Sequence, residues 1–350
     1  MILHFANNNS FIGAYIEFIR NNFDIKNHLF LINGNIEGLQ EDETINLFLA
    51  PSIGKFRKFR KEIKPYFEVA DKVILHGLFI PNLVFFLYFN RKYLSKCYWI
   101  IYGGDLYYYK FNSKRLWSKF YEIFRKFVIK NFGNIIMYAE GDYALAKKWY
   151  KTKAKFHECL FYPYLGVYDY LKNIHFESKQ VNKINIMIGN SADPSNNHII
   201  ILQRLTNLVF DQNIRIICPL SYGGSKEYIE KVIEFGKEKF DDKFIPLVNF
   251  LSKDKYYKIL SDVDIAIFNH YRQQATGNIL SLLYFGKKVY VNKEENSTTW
   301  GFLKKYKFKF FDFNDFNLDV LSEKDQVWNK AIIKSKFNYI NCKRDWEKIF

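Results

Sequence analysis

At 350 residues, with 49% hydrophobic and 25% charged residues, the chain is too long for one core and too mixed for a fibrous or disordered protein. Two globular domains of ordinary size fit it best. A formal net charge of +16 selects anionic partners such as phosphates, an acidic membrane surface or nucleic acid, with lysine excess from a low-GC genome as the plain compositional alternative. Four scattered cysteines, Cys97, Cys159, Cys218 and Cys342, lack the spacing of a zinc module or a disulfide framework. Cys97 and Cys218 lie in apolar runs and read as buried thiols of a reducing compartment.

The first half of the chain alternates between two periodicities. Residues 2–5, 29–32, 73–76, 98–101 and 135–138 read as strands, and residues 11–20, 55–69, 82–89, 114–130 and 143–150 as helices between them. Such alternation implies a parallel sheet with helices on both faces. The start Met1-Ile2-Leu3-His4 has neither a basic leader nor a long apolar stretch. The most apolar run, residues 73–89, is interrupted by His76, Gly77, Pro81 and Asn82, so it reads as strand, turn and proline-started helix and not as a membrane span. The expected location is the cytosol, with peripheral contact to a membrane.

Within 114–130, Leu116, Trp117, Phe120, Ile123, Phe124, Phe127 and Val128 share one helical face, with Arg115, Lys119, Arg125, Lys126 and Lys130 off it. The stripe is read as packing on the first-domain sheet. Part of the charge, with Arg57, Lys58 and Arg60 of the basic 55–61 stretch, is read as meeting anionic lipid, where each basic residue contributes about 1 kcal/mol.

A boundary falls near residues 161–166, followed by a polar stretch to 182, and the pattern then restarts. Residues 184–188 form a strand, Asp193-Pro194 opens a helix, 214–218 is the next strand, and 226–239 and 252–260 are helices. Residues 264–268 form a short buried strand, 279–285 a helix closed by Gly286, and 289–291 another strand. The expected division is 1–165, 166–325 and a helical tail 326–350 that packs back on the first domain. Two doubly wound α/β domains in series are the signature of the GT-B architecture, two Rossmann-like domains facing across a cleft.

In an open α/β sheet, ligands bind beyond the carboxyl ends of the strands. After the first strand of the second domain, Gly189 permits a tight turn, while Asn190, Ser191 and Asn196 offer uncharged groups suited to phosphate or sugar. Tyr222 closes the next strand and is placed to stack on a base. The segment Arg272-Gln273-Gln274-Ala275-Thr276-Gly277-Asn278 then leads from a buried strand into a helix. Unpaired N–H groups at that helix start, the Cβ-free Gly277 and the Arg272 fork suit a diphosphate. For each loop taken alone, a capped turn or plain packing is the competing reading. Asp262-Val263-Asp264 has the letters of a metal-binding DxD motif, but Asp264 begins a buried strand, so no metal site is read there.

These loops together resemble the TDP-4-acetamido-4,6-dideoxygalactose (Fuc4NAc) transferases, glycosyltransferase family 56. The resemblance lies in Ile188-Gly189-Asn190-Ser191-Ala192-Asp193-Pro194-Ser195-Asn196-Asn197-His198-Ile199, in Pro219-Leu220-Ser221-Tyr222, in Arg272-Gln273-Gln274 with Gly277, and in Val291-Asn292-Lys293-Glu294. In the first domain it lies in His76-Gly77-Leu78-Phe79 with Pro81, and in Trp99-Ile100-Ile101-Tyr102-Gly103-Gly104-Asp105-Leu106-Tyr107. It implies an inverting, metal-independent GT-B enzyme without cofactor, which takes a TDP-linked aminodeoxysugar and a polyprenyl-diphosphate-linked acceptor at the cytoplasmic face of the inner membrane. Gly189, Asn190, Ser191, Asn196, Tyr222, Arg272, Gln273, Gln274, Thr276, Gly277, Asn278 and Glu294 are the expected donor-binding residues.

An inverting transfer needs a base for the acceptor hydroxyl and a stabilised leaving group. Asp105 follows a first-domain strand and is the first candidate for the base, with capping of the glycine turn as its structural alternative. His76 is read as base, base-orienting partner or acceptor-phosphate ligand, or else as a satisfied core histidine. His4 is a further candidate on the acceptor side. A UDP-sugar donor is the alternative within the same fold. A non-catalytic basic protein on anionic membrane or nucleic acid is the alternative outside it, and no helix-turn-helix, RNP-type or zinc-finger motif supports nucleic acid.

Overall fold

The computed structural model describes residues 1–8, 11–34, 44–48, 55–111, 116–162, 167–172, 183–209, 213–294 and 297–350. The chain divides into two compact units, Met1–Pro163 with Ile340–Phe350, and Tyr164–Tyr339. The expected change of domain at 165/166 lies outside the described residues.

The first unit is built on β1 (Ile2–Asn7), α1 (Ile12–Asn22), β2 (His28–Asn33), β3 (Ile45–Phe48), α2 (Phe56–Val69), β4 (Lys72–His76), α3 (Pro81–Phe89), β5 (Cys97–Ile100), α4 (Gly104–Phe111), α5 (Leu116–Lys130), β6 (Asn134–Met137), α6 (Glu140–Tyr150) and β7 (Lys155–Glu158). Its seven strands are parallel in the order β3-β2-β1-β4-β5-β6-β7, with Leu3 in register between Leu29 and Val73. Successive side chains of β1 serve opposite layers. Phe5 meets Phe59 and Phe67 of α2, while His4 meets Tyr15 of α1.

The second unit contains α7 (Val167–Leu171), β8 (Ile184–Ile188), α8 (His198–Val209), β9 (Ile214–Pro219), α9 (Lys226–Phe240), β10 (Phe244–Leu247), α10 (Lys253–Asp262), β11 (Ile265–Phe268), α11 (Thr276–Tyr284), β12 (Lys288–Val291), α12 (Ser297–Lys305), β13 (Phe311–Asp312) and α13 (Glu323–Lys336). Its six strands are also parallel, ordered β10-β9-β8-β11-β12-β13. The β8 and β9 side chains Ile186, Ile188, Ile214 and Ile216 pack with Leu202, Leu205, Val232 and Phe240 into one core. Asp264 is tied into this frame, its Oδ2 accepting from the Asn185 amide at 2.8 Å. Asp262 pairs with Lys258 at 2.8 Å.

The tail expected to pack as a whole on the first domain divides. Helix α13 belongs to the second unit, where it neighbours α11, while all but the first residue of α14 (Tyr339–Glu347) belongs to the first. There Trp346 is fully buried and donates to the Phe161 carbonyl at 3.2 Å, and Lys72 donates to the carbonyls of Ile349 and Phe350 at 2.6 and 2.8 Å. All four cysteines are buried free thiols.

Only part of the apolar stripe of α5 packs inward: Val128 is buried, and Phe124 and Phe127 are half-buried against α3. Leu116, Trp117, Phe120 and Ile123 are exposed, and the buried face is Ser118, Tyr121, Glu122, Arg125, Val128 and Ile129. Arg125, expected to face a membrane, is 1% exposed and donates to the carbonyls of Leu78 and Asp105 and to Glu122. A buried polar network also docks this helix, which is why hydrophobic periodicity oriented it only in part. Arg57, Lys58, Arg60 and Lys119 are exposed as expected, while Arg115 lies outside the described residues.

Candidate active site

In each sheet the strand order reverses beside its first strand, β1 against β4 and β8 against β11. The carboxyl ends at such a reversal splay their loops apart and leave a crevice for a ligand. In the second unit, the two loops at this point are 189–197 and 269–275.

The first loop is wound around Asn196, which is fully buried. Its Nδ2 donates to the Ser191 carbonyl at 3.0 Å and the Asp193 carbonyl at 2.9 Å. Its Oδ1 faces the Asn190 amide at 3.1 Å and His270 Nε2 at 2.8 Å. Asn196 was expected to touch donor; it is instead the internal post of the loop, with its hydrogen-bonding capacity spent. Ser191 is likewise buried, with Oγ turned to Asn196 and to the Asp193 amide. Gly189 holds φ +66° directly above this post, where a Cβ would stand 2.7 Å from Asn196 Oδ1 and 2.8 Å from His198 Nε2. Only glycine fits there.

The second loop meets the first through Arg272, whose guanidinium pairs with Asp193 at 3.0 Å, and through Gln274, which accepts from Ser195 Oγ at 3.1 Å. Burial raises the Asp193 pKa, but hydrogen bonds from Ser195 and the charge of Arg272 outweigh it and hold the carboxylate below its usual range. Ala275 takes φ +60° to turn the chain into α11, and Gln273 donates to Thr276 Oγ1. The amides of the first turn of α11 lack helical partners, which makes that end electropositive. Asn278 donates to Tyr256 at 2.7 Å, and Tyr222, half exposed, accepts from Asn190 Nδ2 at 3.2 Å. Glu294 is exposed one strand further along the same edge, past Asn292, which bonds Asn269 at 2.8 Å. Thus Gly189, Asn190, Tyr222, Arg272 and Gln274 lie on adjoining loops at one sheet edge, with Thr276 and Gly277 at the start of α11.

Four polar atoms of these loops and of the first residue of α8 are buried without a hydrogen-bond partner: Asn190 Oδ1, His198 Nε2, His270 Nδ1 and Gln274 Nε2. An orphaned buried polar group costs about 1–3 kcal/mol, and these four lie close together around Gly189 and Asn196. Two of the four are histidines that sequence reasoning passed over. Burial carries the His198 pKa down to about 4 and that of His270 well below the ordinary value, so both are neutral and offer hydrogen bonds, not charge. Both follow an asparagine, Asn197-His198 and Asn269-His270, but so does the core histidine in Asn27-His28, so the dipeptide alone could not have singled them out.

The first unit treats its candidate bases differently. Asp105 is 2% exposed, and its carboxylate accepts from the Leu78 amide and Trp99 Nε1 on one oxygen and from the Tyr102 and Leu106 amides on the other, at 2.8–3.0 Å. A carboxylate has about four lone-pair sites, and all are filled. These bonds make Asp105 the post of the glycine turn, the structural alternative to a base, although burial outweighs them and the Arg125 charge and raises its pKa above the usual carboxylate range. His76 faces His4 and Tyr162, each at 3.2 Å, and His4 also faces His28 at 2.9 Å. Burial brings the His76 pKa to about 3 and that of His28 to about 4, and holds His4 well below its usual value. These three are satisfied core histidines, so His4 and His76 leave the acceptor side as well. Among the described residues, Glu140 and Glu158 carry exposed carboxylates at the carboxyl ends of β6 and β7.

Two parallel doubly wound units with a ligand edge of this kind define a GT-B glycosyltransferase. Solved structures share the fold along nearly the whole chain. A glycosyltransferase from Rickettsia africae matches with TM-score 0.63 at 13% identity, covering 99% of this chain and 97% of that one. HepE from Anabaena in complex with UDP matches with TM-score 0.63 at 9% identity, covering 100% and 98%. The N-terminal domain of Candida albicans trehalose-6-phosphate phosphatase matches with TM-score 0.69 at 12% identity, covering 99% and 95%. A family model described as 4-alpha-L-fucosyltransferase, glycosyl transferase group 56, matches residues 62–350, and the chain belongs to this family.

Proposed function

We propose that this glycosyltransferase moves an acetamido-dideoxyhexose such as Fuc4NAc from a TDP-sugar to a polyprenyl-diphosphate-linked oligosaccharide, with inversion and without metal. The observation that carries the reading is the cluster of four orphaned atoms beside Arg272 and the α11 N-terminus. The donor diphosphate lies on the first-turn amides of α11, and Arg272 turns from Asp193 to its oxygens. That arrangement neutralises the departing diphosphate with fixed donors and a guanidinium, the service a cation gives in metal-dependent transferases. Asn190 and Gln274 pair the sugar or phosphate, Tyr222 stacks on the base, and Glu294 accepts from the ribose. His198 and His270 complete the hydrogen bonds around Gly189.

The acceptor hydroxyl attacks the anomeric carbon as the bond to the diphosphate breaks, and its proton passes to a base. Glu140 is the carboxylate we assign, because β6 lies nearer the strand reversal than the edge strand β7 that carries Glu158. The lipid tail of such an acceptor places the reaction on the anionic cytoplasmic face of the inner membrane. Among the described residues, no helix is long and apolar enough to cross a membrane.

The test is transfer from TDP-Fuc4NAc to a short-chain polyprenyl-diphosphate oligosaccharide in EDTA, with the product anomer read by NMR. Inverted product formed at an undiminished rate supports the proposal. Product only from the UDP-sugar, only with metal, or with retained configuration rejects that element of it.

A further inference from the structure

Helix α5 presents an apolar face outward, Leu116 at 84%, Ile123 at 62%, Phe120 at 49% and Trp117 at 45% exposure. The inner side of the helix is held by Tyr121, Val128 and Ile129 and, among them, by a buried polar group. That group is Arg125, which bonds Leu78, Asp105 and Glu122, and its guanidinium also covers Tyr108.

The face extends beyond one helix. Trp117, Phe120 and Phe124 are in consecutive ring contact, and Phe124 and Phe127 both meet Tyr88 of α3. Tyr88 meets Phe89, which is 63% exposed and meets Phe56 of α2. Apolar surface contiguous over three helices marks an interaction site on a soluble unit. Its border is cationic. Exposed Lys119, Lys126 and Lys130 recur at seven- and four-residue spacing and so run along one edge of the α5 face. Arg91 lies over the rings of Tyr88 and Phe127, and Arg57, Lys58 and Arg60 are exposed on α2 beside Phe56.

Aromatic rings with lysines along the rim suit a bilayer interface, where rings sit at headgroup depth and ammonium groups meet lipid phosphates. We infer that α5, with the adjoining ends of α2 and α3, inserts its apolar face into an anionic phospholipid surface, lying in the interface plane. The inference deepens the proposed membrane-side reaction, yet it depends on neither the donor nor the base.

The purified full chain is sedimented with vesicles of phosphatidylcholine alone and of phosphatidylcholine with phosphatidylglycerol. Binding to the anionic vesicles that persists in part at high salt is expected, with Phe120→Glu/Ile123→Glu weakening it at least tenfold. Both positions are exposed, and TDP titration of the same variant reports whether it folds and keeps its donor site. Wild-type protein that binds TDP but no vesicle overturns this inference and leaves the donor site standing. Vesicle binding without TDP binding does the reverse. Quenching by brominated lipid gives an independent reading, since Trp117→Phe removes the deepest reporter and should lower it. Unchanged quenching, vesicle binding insensitive to the Glu pair, or a dimer that the Glu pair dissolves with no vesicle binding, each contradicts insertion.

Discussion

Arg125 donates to the main-chain carbonyl of Asp105, while the Asp105 carboxylate receives four hydrogen bonds of its own. One buried charge thereby fixes the backbone and the other fixes the turn that a sequence reading takes for catalytic. Arg125→Ala would leave two carbonyls and Glu122 without their partner, and breaking a buried ionic network of this kind costs about 3–5 kcal/mol. Urea denaturation should show that loss, with Arg125→Lys between the two. A loss under about 1 kcal/mol would mean that the network is dispensable.

Asp105→Asn should behave as a stability variant. Its amide would face two N–H donors, which costs about 1–3 kcal/mol per group left unpaired, while transfer per folded molecule stays near wild type. Glu140→Gln should lower kcat about a hundredfold or more with TDP affinity unchanged, the scale of a lost general base. The opposite ranking in a steady-state assay would return the base to Asp105.

Three buried histidines set an acid limit. His76 and His28 have pKa values near 3 and 4 in the folded chain, His4 is also lowered, and burial is the leading cause for each. The unfolded chain takes up these protons below about pH 6.5, so it binds more protons than the native state from there down to pH 3–4. Stability must therefore fall as pH drops through that window, by about 1.4 kcal/mol per pH unit for each histidine kept neutral. Phe350 stacks edge-on against His28 and His4, so protection of α14 amides should be lost first. Hydrogen exchange at pH 7.5 and pH 5 measures this, and equal protection of α14 at both would contradict it.

Gly189→Ala places a Cβ against Asn196 Oδ1 and His198 Nε2 in a left-handed backbone. Strain and overlap of about 1–3 kcal/mol each should displace the loop, weakening TDP more than tenfold while the first unit unfolds at its usual midpoint. Calorimetric titration beside domain-resolved unfolding would settle it, and unaltered affinity would move the diphosphate away from β8.

Much of this architecture is legible in the sequence because its central strands are fully buried. Ile265–Phe268 is apolar throughout, 186–188 and 73–75 are apolar runs within their strands, and such runs survive without an alignment. Edge elements escape the same reasoning. Lys155–Glu158 sets two adjacent rings between two charges, and Phe311–Asp312 is two residues long, so neither carries a period. The donor loops are visible through Gly189 and Arg272. The roles of Asn196 and Asp105 are not, because a polar residue that organises a loop and one that touches a ligand look alike until hydrogen bonds are counted. Helix α5 is the clearest departure: apolar periodicity locates its stripe correctly, but only part of the stripe packs inward, and Arg125 and Glu122 lie on the buried side.

The donor site is tested most directly by calorimetric titration with TDP and UDP in EDTA, on wild-type protein and Arg272→Ala. The account predicts saturable binding of TDP, tighter than UDP, weakened about 10- to 100-fold in the variant, as expected when one charged hydrogen-bonding group is removed. Absence of binding to either nucleotide, or equal affinity in Arg272→Ala, would contradict it.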